Sequence, residues 1–329
     1  MTTCLGKPWA SVYPSIGNRE LLWPCFLPQK ACLFWRWVNW FRDRVEGGKQ
    51  PVFLNLDETS ISYSFHGAKG YFAKHLLKSW KAETRIRKNE LRGSVSHVAI
   101  IADRPEVQKR LSQVFIGNRH RFTLGLMAEV VGIPPEFVHL FRRKSSWNNI
   151  ENMISVLELL AAVLGDFPSL QPILVLDTVR CHIAPRILSK AAELKLWIAP
   201  VPAGLTYLLQ PLDVSSFAQY KAFLRSAYRI ARLANGAVSA RQWMMLLFQV
   251  YTDFLNTTPW TPAFCSVGIG AGEAKLGTEL RSLFPDGCPS LGACLTVGEI
   301  TRILPLRSGL RPIEFARAVL CCRRLLHVR

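Results

Sequence analysis

Apolar residues recur along the chain at two spacings, one typical of strands and one typical of helices. Strands are predicted for the apolar runs at 51–56, 95–102, 114–116, 172–176 and 195–199, and for the alternating run at 61–65. Helices are predicted where apolar residues recur every three or four positions, at 31–45, 150–164, 185–194 and 239–257, and from residue 213 onward. The alternation of strands and helices predicts a layered α/β fold.

Three aspartates stand at comparable points of this pattern. Asp57 and Asp177 each end an apolar, strand-like run, and Asp213 opens a helical pattern two residues after Pro211. A single aspartate at a helix start is ordinarily a capping residue, but the repetition favours a shared carboxylate site. Such a site suits Mg²⁺, which prefers oxygen ligands. Asp103 also ends a strand-like run and is the alternative third member, although an isolated acid there is typical of a turn.

The charge of the chain narrows the class of partner. Lys and Arg number 41 against 23 Asp and Glu, which gives a formal net charge of +18. Such an excess favours a polyanionic partner such as nucleic acid. We expect no membrane span, because no apolar run reaches the roughly 18 residues that one needs, and no secretory signal. The nine cysteines lack paired zinc-finger spacing, so we expect reduced, mostly buried thiols.

Basic residues concentrate in three clusters, within 74–92, at 119–121 and at 142–144. The candidate nucleic-acid contacts are Lys81, Arg85, Arg87, Lys88, Arg119, Arg121, Arg142, Arg143 and Lys144. Neutralising phosphate charge drives DNA binding without requiring precise geometry. A solvated charged loop remains the alternative interpretation of the first cluster.

Several short motifs of the chain resemble those of a known family. They are Asp57-Glu58-Thr59, Leu176-Asp177 with His182 downstream, and Leu209-Gln210-Pro211-Leu212-Asp213-Val214 followed by Phe217 and Lys221. In order and spacing they resemble the DDE superfamily endonuclease domain of pogo- and Tigger-like transposases, which are related to the mariner group. The resemblance covers residues 50–270 and fits the variant of the family whose third acid is an aspartate.

The resemblance implies a fold and a domain organisation. The fold is an α/β, ribonuclease H-like fold with a mixed central sheet flanked by helices. The catalytic domain spans 50–270, after an N-terminal extension (1–49) with one aromatic and basic helix, and before a basic C-terminal tail (271–329) with a helix at 313–326. We expect the N-terminal helix to pack against the core. Helix-turn-helix modules precede the catalytic domain in the family, and residues 1–49 are too few for the usual pair.

The resemblance also implies a chemistry. Asp57, Asp177 and Asp213 are the catalytic residues and the ligands of two Mg²⁺ or Mn²⁺ ions, with Asp57 bridging the pair. Two such ions can activate water, stabilise phosphoryl charge and assist the leaving oxygen. The implied partner is DNA, bound by a homodimer in the nucleus, with neither a membrane nor a small-molecule cofactor.

Neighbours of the three aspartates receive supporting roles. Thr178 replaces the Asn that often follows the second acid in the family, and its hydroxyl can orient a carboxylate. His182 matches the family's His, and contact with phosphate or water is an alternative to a purely structural role. Gln210 is expected to position Asp213 or the backbone. Glu58 should point to the opposite side of its strand, which leaves it at most a minor role.

Three functions remain open from the sequence. The first is a metal-dependent DNA endonuclease and strand transferase, which the intact Asp triad favours. The second is a transposase-derived DNA-binding protein without cleavage activity of its own, which the short N-terminal extension favours. The third is an RNA-cleaving enzyme of the ribonuclease H-like fold, which would not explain the Gln-Pro-Leu-Asp motif.

Overall fold

A single mixed sheet of six strands forms the centre of the computed structural model, which describes residues 27–62, 94–270 and 275–289. The strands are β1 (Gln50–Ser62), β2 (Ser94–Ala102), β3 (Gln113–Asn118), β4 (Val138–Arg143), β5 (Leu170–Leu176) and β6 (Trp197–Pro200). Their order across the sheet is β4-β3-β2-β1-β5-β6.

Strand directions place most carboxyl ends at one edge of the sheet. Strand β2 is antiparallel to both β1 and β3, whereas β4 is parallel to β3, and β5 and β6 continue parallel to β1. Every strand except β2 therefore points the same way. We call the side of the sheet at which the chain leaves β1, β3, β4, β5 and β6 the carboxyl edge, and the opposite side the amino edge. These two edges lie at the ends of the strands and are distinct from the outermost strands, β4 and β6.

Helices flank the sheet. They are α1 (Leu27–Arg42), α2 (Pro105–Gln108), α3 (Leu124–Val130), α4 (Ile150–Leu164), α5 (Pro185–Glu193), α6 (Thr206–Leu209), α7 (Phe217–Asn235), α8 (Ala240–Val250), α9 (Thr261–Ser266) and α10 (Thr278–Leu283). Two π-helical turns, Leu212–Ser216 and Tyr251–Leu255, precede α7 and follow α8. None of these helices has the length and apolar character that crossing a bilayer requires.

Helix α1 packs against the core through its aromatic stripe, as the sequence predicted. Phe34, Trp37 and Phe41 are buried. The Phe41 ring stacks on Trp197 of β6 at 5.4 Å between centroids, and the Trp35 indole donates a hydrogen bond of 2.9 Å to the Val267 carbonyl. The aromatic side chains of α1 therefore join the hydrophobic core that the sheet and the later helices share.

Most predicted elements are present, and the α/β architecture with a mixed central sheet is confirmed. The predicted strands at 95–102 and 172–176 correspond to β2 and β5, and the predicted helices at 150–164 and 185–194 to α4 and α5. The predicted strands at 114–116 and 195–199 correspond to β3 and β6. The C-terminal helix predicted at 313–326 and the basic segment 74–92 lie outside the described residues.

One prediction about local structure was wrong. Residues 51–56 and 61–62 belong to one strand, β1, because its pairing with β2 continues without a break from Leu54 opposite Ala102 to Ser62 opposite Ser94. Residues 63–65 lie outside the described part. Asp213 lies in the first turn of the π-helical segment Leu212–Ser216, at the start of the helical pattern where the sequence placed it.

Candidate active site

Asp57 occupies the middle of the site. It lies on the continuous strand β1, on the same face as Asn55, and its side chain is buried. Its Oδ1 accepts a hydrogen bond of 2.8 Å from the Glu58 backbone N–H. Burial, followed by the charges of Asp213, Glu58 and Asp177, raises the pKa of Asp57 well above its ordinary value. The carboxyl group therefore lies where negative charge is concentrated and is not fully compensated.

Asp177 lies beside Asp57 because β5 runs parallel to β1. Asn55 is opposite Val175 in this pairing, so extending the register by two residues sets Asp177 level with Asp57. Asp177 directly follows the last residue of β5 and is half-buried. The carboxyl end of a buried strand thus brings the second predicted aspartate to the first.

Asp213 approaches the same site from the π-helical turn before α7. Desolvation and then the Asp177 charge raise its pKa, against the opposing effects of a hydrogen bond from Thr206 and the positive charge of Lys221. Its carboxyl group is also within hydrogen-bonding reach of Asp57. The structure therefore brings all three predicted aspartates together, with Asp57 buried, Asp177 half-buried and Asp213 open to solvent.

Asn55 connects the three segments that carry these aspartates. Its side chain is fully buried; Nδ2 donates to the Val175 carbonyl at 2.9 Å, and Oδ1 accepts from the Leu212 N–H at 2.8 Å. One amide thereby ties β1 to β5 and to the turn that holds Asp213. Asn55 was not among the predicted site residues, although its place two residues before Asp57, on the same face of the strand, was a usable signal.

His182 links Asp177 to Glu58 on the other face of β1. The ring is fully buried, with Nδ1 at 2.5 Å from Asp177 Oδ1 and Nε2 at 2.8 Å from Glu58 Oε1. Burial alone lowers the pKa of His182, but the Glu58 charge and hydrogen bonds to both carboxylates raise it well above its ordinary value. A protonated ring that donates to both acids holds Asp177 in a fixed orientation.

Glu58 points away from Asp57, as predicted, yet it has specific partners there. It accepts hydrogen bonds from His182 and from the Asn148 amide. Burial raises the pKa of Glu58, but the charge and hydrogen bond of His182 and the Asn148 hydrogen bond lower it below its ordinary value overall. Glu58 therefore supports Asp177 through His182, a role that the sequence analysis underestimated and that Asn148 shares.

The other predicted residues take varied places. Thr178 adjoins Asp177 and is half-buried. Gln210 is fully buried, and its side-chain amide has no hydrogen-bond partner within the described residues. Asp103, the alternative third acid, ends the antiparallel strand β2 and so lies at the amino edge, where its Oδ1 accepts a hydrogen bond from the Phe53 N–H. It is not part of the aspartate cluster.

Two of the three predicted basic clusters lie at the carboxyl edge. Strands β3 and β4 pair in parallel, with Gly117 opposite Arg142 and Asn118 opposite Arg143. Arg119 and Arg121 follow β3, and Lys144 follows β4. Five basic residues therefore lie at the carboxyl edge, where Asp177 follows β5: Arg119, Arg121, Arg142, Arg143 and Lys144. The remaining candidates, Lys81, Arg85, Arg87 and Lys88, lie outside the described residues.

Asp57, Asp177 and Asp213 present only carboxylate oxygens, which are the donors that hard cations prefer. Burial, and after it the negative charge of the neighbouring acids, raises the pKa values of Asp57 and Asp213. Comparison of the chain with protein-family models, with curated proteins and with solved structures found no match. Its function is therefore inferred from the geometry of the site and from the motif resemblance.

Proposed function

We propose that this chain is a metal-dependent DNA endonuclease and strand transferase of the DDE type, with Asp57, Asp177 and Asp213 as its catalytic carboxylates. The observation that carries the proposal is the convergence of these three side chains from β1, from the end of β5 and from the turn before α7. The three residues are far apart in the sequence, and it is the fold that brings their side chains together.

The carboxylate donors suit Mg²⁺ or Mn²⁺, two per site. Asp57 would be the shared ligand, because it is close to both other acids, and Asp177 and Asp213 would each hold one ion. When bound, two such ions would supply Lewis-acid activation of water and stabilise the charge of the phosphoryl group and of the leaving oxygen. His182, held by Glu58, fixes the orientation of Asp177.

The strand arrangement supports a ribonuclease H-like fold. If the edge strand β4 is set aside, the order is β3-β2-β1-β5-β6, with three consecutive antiparallel strands followed by two that run parallel to β1. Along the chain, these strands occur as three strands, then α4, β5, α5 and β6, which is an order typical of the ribonuclease H-like fold. The first aspartate lies on the central strand β1 and the second ends its parallel neighbour, which matches the places that the resemblance gives them.

DNA is the substrate that the charge distribution favours. The basic residues at the ends of β3 and β4 lie on the carboxyl edge, two and three strands from β1, or about 10 and 14 Å at the usual strand spacing. A phosphate backbone that reaches the aspartates can continue along this edge past Arg119 and Arg143. The net charge of +18 favours the same partner.

Plasmid nicking tests this function. Purified protein is incubated with supercoiled plasmid and Mg²⁺ or Mn²⁺, beside Asp57→Asn and Asp213→Asn. We expect nicking that requires the metal and is lost in both variants. Asp103→Asn is the matched control, because it changes a buried acid at the end of a strand outside the cluster and should leave nicking intact. Transfer of an oligonucleotide 3′ end into plasmid would then test strand transfer.

Other outcomes would assign a different function. Tight plasmid binding without nicking in either metal would contradict the endonuclease and favour a transposase-derived DNA-binding protein. Cleavage of RNA–DNA hybrids in preference to plasmid would favour the ribonuclease. Dimer formation and nuclear location stay predictions of the resemblance.

A further inference from the structure

A second group of ligand atoms lies behind the aspartate cluster, on the other face of β1. The donor atoms of Glu58, Cys181 and His182 are all within 4.8 Å of one another. His182 is fully buried, whereas Glu58 and Cys181 are half-buried and so remain reachable from solvent. Cys181 is a free thiol. This group is therefore compact and accessible, and it differs chemically from the all-oxygen cluster.

The donor set selects a different cation. A thiolate, an imidazole nitrogen and a carboxylate are the ligands that zinc takes, whereas Mg²⁺ avoids sulfur. Three protein ligands leave the fourth position of a tetrahedral ion for water. The set on this face of β1 is thus suited to a borderline-soft cation that the aspartates would not favour.

The orientation of His182 matches that of a zinc ligand. Its Nδ1 lies 2.5 Å from Asp177 Oδ1, which leaves Nε2 directed at Glu58, 2.8 Å away. A zinc-bound histidine characteristically donates its other N–H to a carboxylate in this way. Two tetrahedral ligands about 2.0 Å from zinc stand about 3.3 Å apart, so the Nε2–Glu58 gap needs to widen only slightly to admit the ion.

We infer that Glu58, Cys181 and His182 form a zinc site distinct from the aspartate cluster. Zinc takes the place of the proton on His182 Nε2, and the Cys181 thiol loses its proton on binding. The ion ties β1 to the loop that follows β5, while Asp177 holds the imidazole from the opposite side. The inference does not depend on the endonuclease activity, because it uses the other face of the strand.

Cobalt spectroscopy tests the site. The full chain is freed of metal with a chelator and titrated with Co²⁺, alongside Cys181→Ser and the matched control Cys32→Ser, which changes another half-buried free thiol. We expect a Co²⁺–thiolate charge-transfer band and the intense visible bands of a four-coordinate ion, both displaced by Zn²⁺. Cys181→Ser should abolish the charge-transfer band and weaken Zn²⁺ binding at least about tenfold, and Cys32→Ser should preserve both.

Two results would overturn the zinc site. One is a titration without a thiolate band. The other is a band that persists in Cys181→Ser, which would place the cobalt on other cysteines. His182→Gln gives a second measurement, since it keeps Cys181 but should lower Zn²⁺ affinity. Plasmid nicking in Mg²⁺ is recorded separately, so loss of the zinc site leaves the endonuclease standing, and loss of nicking with an intact cobalt spectrum contradicts only the endonuclease.

Discussion

At the scale of single residues, Asn55 has the most connected role in the site. Its amide satisfies the Leu212 N–H and bonds the Val175 carbonyl, and all of this is buried. In Asn55→Leu, which has a similar volume, both hydrogen bonds are lost and a buried N–H is left unsatisfied. We expect the free energy of unfolding to fall by about 2–4 kcal/mol, measured by urea denaturation.

The control for this change is Asn235→Leu. Asn235 is exposed at the end of α7, where its amide donates to the nearby Ala231 carbonyl. We expect that variant to stay within about 0.5 kcal/mol of the wild type. If Asn55→Leu were equally neutral, Asn55 would not be the residue that holds the turn of Asp213 against β1.

Asp103 makes a separate prediction about pH. Burial raises the pKa of Asp103 to about 6 from 3.8, against the opposing effects of the Phe53 N–H and nearby arginines. The folded state thus keeps a proton that the unfolded state releases, so stability from this group declines as pH rises from about 4 to 6. Asp103→Asn cannot ionise and keeps an oxygen for Phe53. Its stability relative to the wild type should rise by about 3 kcal/mol between pH 3.5 and 7, measured by urea unfolding.

His97 serves as the comparison, because its pKa is shifted in the opposite direction from that of Asp103. His97 is fully buried, and burial lowers its pKa to about 3 despite a hydrogen bond with Gln113. Below about pH 6.5 the unfolded state therefore binds a proton at His97 that the folded state does not bind. The contribution of His97 to the free energy of unfolding accordingly declines as pH falls. His97→Phe, which keeps the stacking on Phe115, should gain stability relative to the wild type at the acid end. For each variant, the difference in unfolding free energy from the wild type is plotted against pH. If the two plots ran parallel, they would contradict the pKa shifts assigned to Asp103 and His97.

At the scale of elements, the π-helical turn Leu212–Ser216 sets the direction of Asp213. Deleting Ser215 would restore α-helical spacing and turn Asp213 about 100° around the axis of α7, away from Asp57. We expect this deletion to abolish metal-dependent nicking while the helical circular dichroism signal persists. Ser215→Ala keeps the length of the turn and removes only a hydroxyl bonded to the Pro211 carbonyl, so it should retain nicking. Retained nicking after the deletion would show that the turn is dispensable.

The same scale shows which elements could be predicted from the sequence. Strands β2 and β5 each contain an unbroken run of buried apolar residues, at 98–102 and 173–176, and helix α4 has its own apolar stripe and an Asn149 cap. Strand β4 was missed because, among the described strands, it pairs with β3 alone and ends in basic residues. Its stability comes from the neighbouring strand, which no local pattern reveals.

The residues of the candidate site also divide into those that the sequence could predict and those that it could not. Asp57, Asp177 and Asp213 could be named because each marks the end or start of a local pattern. Asn55 offered only its place two residues before Asp57 as a signal, and Asn148 offered none, since their partners Leu212 and Glu58 are 157 and 90 positions away in the sequence. Hydrogen bonds over such separations depend on strand order and register, which a single sequence does not specify.

At the scale of the whole molecule, the direction of the strands separates two sets of basic residues. Arg143 and Lys144 lie at the carboxyl edge with the aspartates, whereas Lys109 and Lys195 precede β3 and β6 at the amino edge. All of them add to the same net charge, so net charge alone predicts equal contributions to DNA binding. The proposed path of DNA along the carboxyl edge predicts unequal ones.

The double variant Arg143→Ala/Lys144→Ala should therefore bind duplex DNA more weakly than the wild type, whereas Lys109→Ala/Lys195→Ala should not. Each phosphate contact contributes about 0.9 to the slope of log K against log salt concentration, so losing two contacts should reduce that slope by about 1.8. Fluorescence anisotropy with a labelled duplex at several salt concentrations measures it. Equal slopes for both double variants would mean that DNA responds only to the overall charge, and would remove the carboxyl edge as the binding path.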